Sequence, residues 1–211
     1  MVIHRTQSNK GRDTIKTVFF DIGGVVLVDF VEQKIMDLAE KYQKDPSDLL
    51  KAKSRHRPLA DLGKISDPAF WKNILADNKV KAVEDDWAID SYMQPIDAVF
   101  EIINSLKRNG YGIAVLSNDS REMSAARRQK YGFDSLFDDV IISCEHGVVK
   151  PGPEIYRIAL KRMHCLPGDC VFIDDRQENL DTAADIGMHT ILFQNADQLK
   201  NEMSGLGVNL A

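Results

Sequence analysis

Four groups of polar residues stand at or just after short apolar runs, and together they could transfer a phosphoryl group: Asp21, Ser117-Asn118, Lys150 and Asp174-Asp175. Asp21 and Asp175 offer hard carboxylate oxygens. These suit Mg2+, a cation that takes few protein ligands and leaves positions for water and substrate phosphate. Lys150 and Ser117 can bind phosphate oxygens. The Asp21 carboxylate is ionised at neutral pH and can act as a covalent nucleophile, giving an aspartyl-phosphate that water later cleaves. Phosphoryl transfer asks for little beyond such positioning and charge stabilisation. Taken singly, each residue has a plainer reading, since Asp and Ser cap helices and a lone loop lysine is usually solvated. Their weight comes from sharing one edge of one sheet.

Five apolar runs supply that sheet. The first lies within residues 15–27, interrupted by Asp21 and a tight turn at Gly23-Gly24; the others are 113–116, 140–142, 171–173 and 190–193. Helical spacing marks 96–108, ended by Gly110, and then 121–131, 153–163 and 178–186. Strand alternating with helix predicts an α/β fold, a doubly wound, Rossmann-like sheet of five parallel strands covered on both faces. Ligands bind such sheets at the carboxyl ends of the strands, where the four polar groups fall.

Residues 30–93 read differently, as helical pieces near 31–42, 46–54, 68–76 and 84–92 with no convincing strand. Asp45-Pro46 and Asp67-Pro68 each read as an N-cap followed by proline at the first helical position. The expected division is a polar tail at 1–14, a core domain from 15–29 and 94–211, and a small helical cap domain at 30–93. Hinges are expected near Val28 and Gln94-Pro95. Phe70, Trp71 and Trp87 read as packing within the cap, and Arg127-Arg128 as a solvated helix face.

A chain of 211 residues suits one domain with a modest insertion. Apolar content of 44% and charged content of 28% are ordinary for a globular protein, which sets disorder aside. Net charge is -5 with both signs interspersed, so neither a nucleic acid nor an anionic membrane is an expected partner, and a small molecule is. Cys144, Cys165 and Cys170 have no metal-ligand spacing, and their odd number argues for reduced thiols. The first 14 residues lack the apolar region of a signal peptide, and no apolar run is long enough to cross a bilayer. The expected location is the cytoplasm.

The run Phe19-Phe20-Asp21-Ile22-Gly23-Gly24-Val25 resembles the first motif of the haloacid dehalogenase superfamily. Leu116-Ser117-Asn118 resembles the second motif, Lys150-Pro151 the third and Phe172-Ile173-Asp174-Asp175 the fourth, in the family's order. Pro153-Glu154-Ile155-Tyr156, Ala183-Ala184 and Gly187-Met188 extend the similarity, which covers residues 15–195. The resemblance implies a hydrolase of the helical-cap subclass that acts on a small phosphorylated substrate with Mg2+ as cofactor. It makes Asp21 the nucleophile and a metal ligand, the Gly23 carbonyl a second ligand and Asp175 the third. Asp174 takes the place of a common glycine and Asn179 that of a frequent second acid, both beside the ligands. Ser117 and the Asn118 backbone would hold phosphate, and Lys150 would neutralise phosphate and nucleophile.

One position departs from the pattern. Family phosphatases commonly carry a second Asp two residues after the nucleophile, which protonates the leaving oxygen and then activates water. Gly23 stands there, and a positioned acid or base is worth about a hundred to ten thousandfold in rate. Members resembling glucose-1-phosphate phosphatases also have glycine at this place. This implies a phosphatase whose leaving group departs easily, or whose proton donor is water or a cap residue such as Asp61 or His56. Two alternatives stay open: a metal-independent 2-haloacid dehalogenase, and a catalytically weak phosphate-binding or regulatory protein. Against the dehalogenase, Asp174-Asp175 without a cation would repel the Asp21 carboxylate and raise its pKa.

Overall fold

The computed structural model describes residues 14–211, so the polar tail, apart from Thr14, lies outside the described residues. Its first half holds β1 (Thr17–Phe20), α1 (Val31–Tyr42), α2 (Pro46–Asp61), α3 (Asp67–Asp77), α4 (Asp97–Arg108) and β2 (Gly112–Ser117). Next come α5 (Arg121–Tyr131), the single turn α6 (Phe133–Leu136), β3 (Asp139–Ile142) and the single turn α7 (Ser143–His146). The chain closes with α8 (Pro153–Arg162), β4 (Cys170–Asp174), α9 (Gln177–Ile186), β5 (His189–Leu192) and α10 (Ala196–Gly205).

All strand pairs are parallel, in the order β3-β2-β1-β4-β5. The chain winds outward one way from β1 and then the other way, so β1 sits at the switch point where such sheets bind ligands. Successive strand residues face opposite sides. Val18, Phe20, Val115 and Ile173 pack with Val99, Ile103 and Leu106 of α4 and Leu199 and Met203 of α10. Phe19, Leu116 and Phe172 pack on the other side with Ile155 and Tyr156 of α8 and Leu180 and Ala183 of α9. Burial on both faces explains why the strands read as continuous apolar runs rather than alternating ones.

Residues 30–93 add no strand to this sheet, and their apolar side chains form a third cluster. Ile35, Leu49, Phe70, Trp71 and Ile74 lie at its centre, joined by Met123 from α5. The two chain crossings into this segment are paired: Val28 N donates to the Gln94 carbonyl at 2.9 Å and Ile96 N to the Val26 carbonyl at 3.0 Å.

Several element boundaries differ from the sequence expectation. The first strand stops at Phe20 because the Ile22 carbonyl accepts from the N–H groups of Val25, Val26 and Leu27, coiling the chain into a tight turn. Helix α2 runs past residue 54 and through Pro58 to Asp61. An internal proline costs a backbone hydrogen bond, but the last turn is anchored, with Ala60 buried in the third cluster and Ser143 Oγ donating to the Asp61 carbonyl at 2.6 Å. Asp45 caps α2 as expected, whereas α3 is capped by Ser66, with Asp67 and Pro68 inside its first turn. The helix expected over 84–92 is only a short 3-10 turn, Glu84–Trp87. Asp86 fixes that turn by accepting from Val83 N, Lys41 Nζ and the Tyr42 hydroxyl, each at 2.7 Å. Helix α10 lies beyond the segments that the pattern marked.

Candidate active site

Asp21 follows β1 directly, and its N–H donates to the Ile173 carbonyl at 2.9 Å, which fixes it beside the end of β4. The next residues turn sharply away. Gly24 has φ +81, and a Cβ there would strike the Asp175 carboxylate, so both conformation and space require glycine. Gly23 carries neither constraint: it is absent from the positive-φ glycines, and a Cβ there would meet nothing within 4 Å.

Lys150 is 4% exposed, with its Nζ 2.9 Å from Asp21 Oδ1 and 2.6 Å from Asp174 Oδ2. Burial alone would lower its pKa, but the charges of Asp21 and Asp174 outweigh it and hold the ammonium above its ordinary range. Asn118 brackets the same loop. Its Oδ1 accepts from Lys150 N at 2.8 Å and its Nδ2 donates to the Lys150 carbonyl at 2.9 Å. The Asn118 side chain therefore holds the lysine loop against the end of β2, where Ser117 is buried.

Asp21, Asp174 and Asp175 each present an oxygen within 4.8 Å of the others. Partial burial, then the charges of Asp21 and Asp174, pushes the Asp175 carboxyl up to about 6. Asp174 is raised as well, by burial and then by Asp21. Crowded carboxylates with elevated pKa values are short of positive charge, and an all-oxygen set of this kind fits Mg2+. The two acids of the pair are not equivalent. Asp174 Oδ2 takes the lysine, Oδ1 accepts from Arg176 N at 2.8 Å, and Asn179 Nδ2 lies 3.0 Å from both oxygens. Asp175 is exposed and turned toward Gly24, leaving its carboxylate the less engaged.

Asp21, Gly23, Ser117, Asn118, Lys150, Asp175 and Asn179 thus line one cavity, with Asp174 behind the lysine. Of the two residues expected as possible proton donors, Asp61 lines the cavity and His56 does not; His56 Nε2 lies 2.9 Å from Asp77 Oδ2. The structure adds Asp29, Lys53, Arg57, Arg127 and Arg176 to the lining. Arg127 corrects the expectation of a solvated face. It is 5% exposed, its Nη1 donates to Asp119 Oδ2 at 2.8 Å, and its Nε has no hydrogen-bond partner. Lys53, Arg57 and Asp61 stand four residues apart on α2, a spacing that puts them on one face. The spacing was visible in the sequence, but a charged helical stripe ordinarily faces solvent.

Converging carboxylates and a buried lysine at the switch point of a doubly wound parallel sheet define an α/β enzyme acting at the carboxyl edge of its strands. The sequence model of the haloacid dehalogenase-like hydrolases matches residues 15–187, and the chain belongs to that family. It is 28% identical over 171 residues to flavin mononucleotide hydrolase 1 of Arabidopsis thaliana, covering 73% of this chain and 69% of that protein. It is 25% identical over 202 residues to D-ribitol-5-phosphate phosphatase of Bacteroides thetaiotaomicron, covering 90% and 97%. Other curated relatives are longer, and the matched segment spans 19% of one and 10% of another. Among solved structures, a family enzyme of Bacteroides thetaiotaomicron, an aspartate-to-alanine variant with magnesium and inorganic phosphate, superposes with TM-score 0.68 at 19% identity, covering 86% of this chain and 95% of that one. No helix among the described residues is long and apolar enough to cross a membrane.

Proposed function

We propose that this hydrolase is a Mg2+-dependent phosphatase acting on a small phosphorylated metabolite through an aspartyl-phosphate on Asp21. The observation that carries the reading is the contact of Lys150 Nζ with Asp21 at 2.9 Å, beside two further carboxylates. Lys150 keeps its proton there, so it serves as a fixed countercharge and not as a base. A bound Mg2+ would be held by Asp21, Asp175 and the Gly23 carbonyl and would supply charge neutralisation at the phosphate.

Asp21 attacks phosphorus through one carboxylate oxygen. The new O–P bond forms as the bond to the leaving oxygen breaks, and that oxygen takes up a proton as it departs. Ser117 and the Asn118 backbone bind the phosphoryl oxygens, while Lys150 offsets charge on nucleophile and phosphate. Water then adds to the phosphorus of the intermediate, releasing inorganic phosphate and restoring the Asp21 carboxylate. Gly23 supplies no proton to either step.

Residues 30–93 act as a cap domain over this edge, with α2 as the element closest to the phosphate loop. Arg57 Nη2 donates to the Asn118 carbonyl at 3.2 Å, and the cavity below is about 130 Å³, which suits a small substrate. The activity named for the Bacteroides phosphatase and the magnesium and phosphate of the superposed enzyme support the same reading. The carboxylate cluster weighs against metal-independent dehalogenation, because Lys150 pairs with Asp21 and Asp174 and would leave Asp175 beside them without an ion-pair partner among the described residues. The test is a panel of phosphorylated metabolites and 2-haloacids, with and without Mg2+, run beside Asp21→Asn. Phosphate release that needs both Mg2+ and Asp21 is expected; halide release indifferent to metal would contradict the proposal.

A further inference from the structure

We infer that the cavity holds a second anion subsite on its cap wall, built by Lys53 and Arg57 with Arg127 beside them, and that the substrate carries a further oxyanion besides its reacting phosphate. The inference rests on the phosphatase reading of the site and narrows its substrate class.

Five cationic side chains and four carboxylates line the cavity. Two of the carboxylates, Asp21 and Asp175, belong to the proposed metal site, and Lys150 is committed to Asp21 and Asp174. What remains of the lining is Lys53, Arg57, Arg127 and Arg176 against Asp29 and Asp61, with Arg127 itself paired to the buried Asp119. Arg176 is exposed and paired with Glu178 at 2.9 Å, and Asp29 is exposed with Oδ1 accepting from Val31 N. The distinctive part of the wall is therefore the α2 stripe and the arginine beside it.

Arg57 is oriented by both neighbours it needs. Its Nε donates to Asp61 Oδ1 at 2.7 Å and its Nη2 to the Asn118 carbonyl, one residue beyond Ser117. That places a guanidinium next to the phosphate-binding loop while leaving further donors on its fork. Lys53 stands one turn earlier on the same face. Its partner Glu32 is 3.3 Å away and 69% exposed, a loose surface pair that a substrate anion can displace. Arg127 stands beside them as a buried guanidinium whose Nη1 is already paired with Asp119 Oδ2 at 2.8 Å, so direct contact with an anion falls to Lys53 and Arg57.

Calorimetric binding to the full Mg2+-loaded chain tests this without turnover. The probes are phosphonocarboxylates with one to three methylenes between the charged ends, each beside the alkylphosphonate of the same length, at one ionic strength and one free Mg2+. Bisphosphonates of the same spacing show whether a carboxylate or a second phosphate is preferred. At one length at least, the doubly anionic probe should bind about tenfold or more tighter than its neutral-tailed partner, as expected for charge-assisted contacts. In Lys53→Met that ratio should fall toward one. Equal affinity at every length, or a ratio untouched by Lys53→Met, overturns the subsite while leaving the phosphatase reading standing. Failure of every phosphonate to bind would overturn both.

Discussion

The ammonium of Lys150 and the carboxylate of Asp21 lie 2.9 Å apart, and the same ammonium reaches Asp174 at 2.6 Å. One buried cation thus serves both the residue proposed to attack phosphorus and the acid behind it. Lys150→Met should leave two neighbouring carboxylates without their countercharge. We expect a fall in kcat of about a hundred to a thousandfold, the usual loss on removing a preorganised charge-stabilising group. Stability should drop by about 3 to 5 kcal/mol, as when one partner of a buried ion pair is deleted. Urea unfolding and steady-state kinetics read the two effects, and a variant within tenfold of wild-type activity would show that the lysine is structural only.

The adjacent acids should separate by function. Asp174 is engaged by Lys150, Asn179 and Arg176 N, whereas Asp175 is free to take a cation. Asp175→Ala should lose Mg2+ binding and metal-dependent activity together. Asp174→Ala should retain more of both but unfold more readily, because its partners are left unpaired. Equal loss of Mg2+ affinity in the two variants, measured by calorimetry, would show the choice between them to be unsupported.

Gly23 is open to substitution. A Cβ there meets nothing within 4 Å and the residue is not in the left-handed region, so the backbone and the first side-chain atom of Gly23→Asp are accommodated without strain. The variant should hydrolyse ordinary alkyl phosphates faster by up to about a hundred to ten thousandfold, the range for a positioned acid-base group. An unchanged rate with intact folding and Mg2+ binding would mean that another group already performs the proton transfers.

Burial pushes the Asp67 carboxyl up to about 6 from its ordinary 3.8, and its Oδ2 has no partner. A carboxyl whose folded pKa exceeds its unfolded one favours the folded state while protonated. That advantage is present below about pH 4 and is lost as pH rises through 6, where the folded chain must carry a poorly solvated charge. Asp67→Asn should therefore stabilise the protein at pH 7.5 by up to about 3 kcal/mol and make little difference near pH 4. Thermal unfolding across that range checks it, and a gain that is constant with pH would remove the carboxyl as its cause.

The sheet and the polar residues at its edge were legible because β1, β2 and β4 are buried on both faces and give way to polar residues, as Phe20 does to Asp21 and Ile173 to Asp174-Asp175. The cap wall was not. Lys53, Arg57 and Arg127 have the spacing and charge of any solvated helix, and only the packing of α2 and α5 around the Asn118 loop turns them inward. The break after Trp87 was hidden for a related reason: it depends on Asp86 meeting Lys41 and Tyr42, residues more than forty positions away.

A covalent intermediate on Asp21 should be hydrolysed slowly, because position 23 offers no acid or base. A rapid-quench time course with acetyl phosphate and Mg2+ tests it most directly, by following phosphorylated protein beside released phosphate. A burst of phosphoprotein should appear and persist at steady state in the wild type and be absent in Asp21→Asn. Rapid release of phosphate with no phosphoprotein at any time would contradict it.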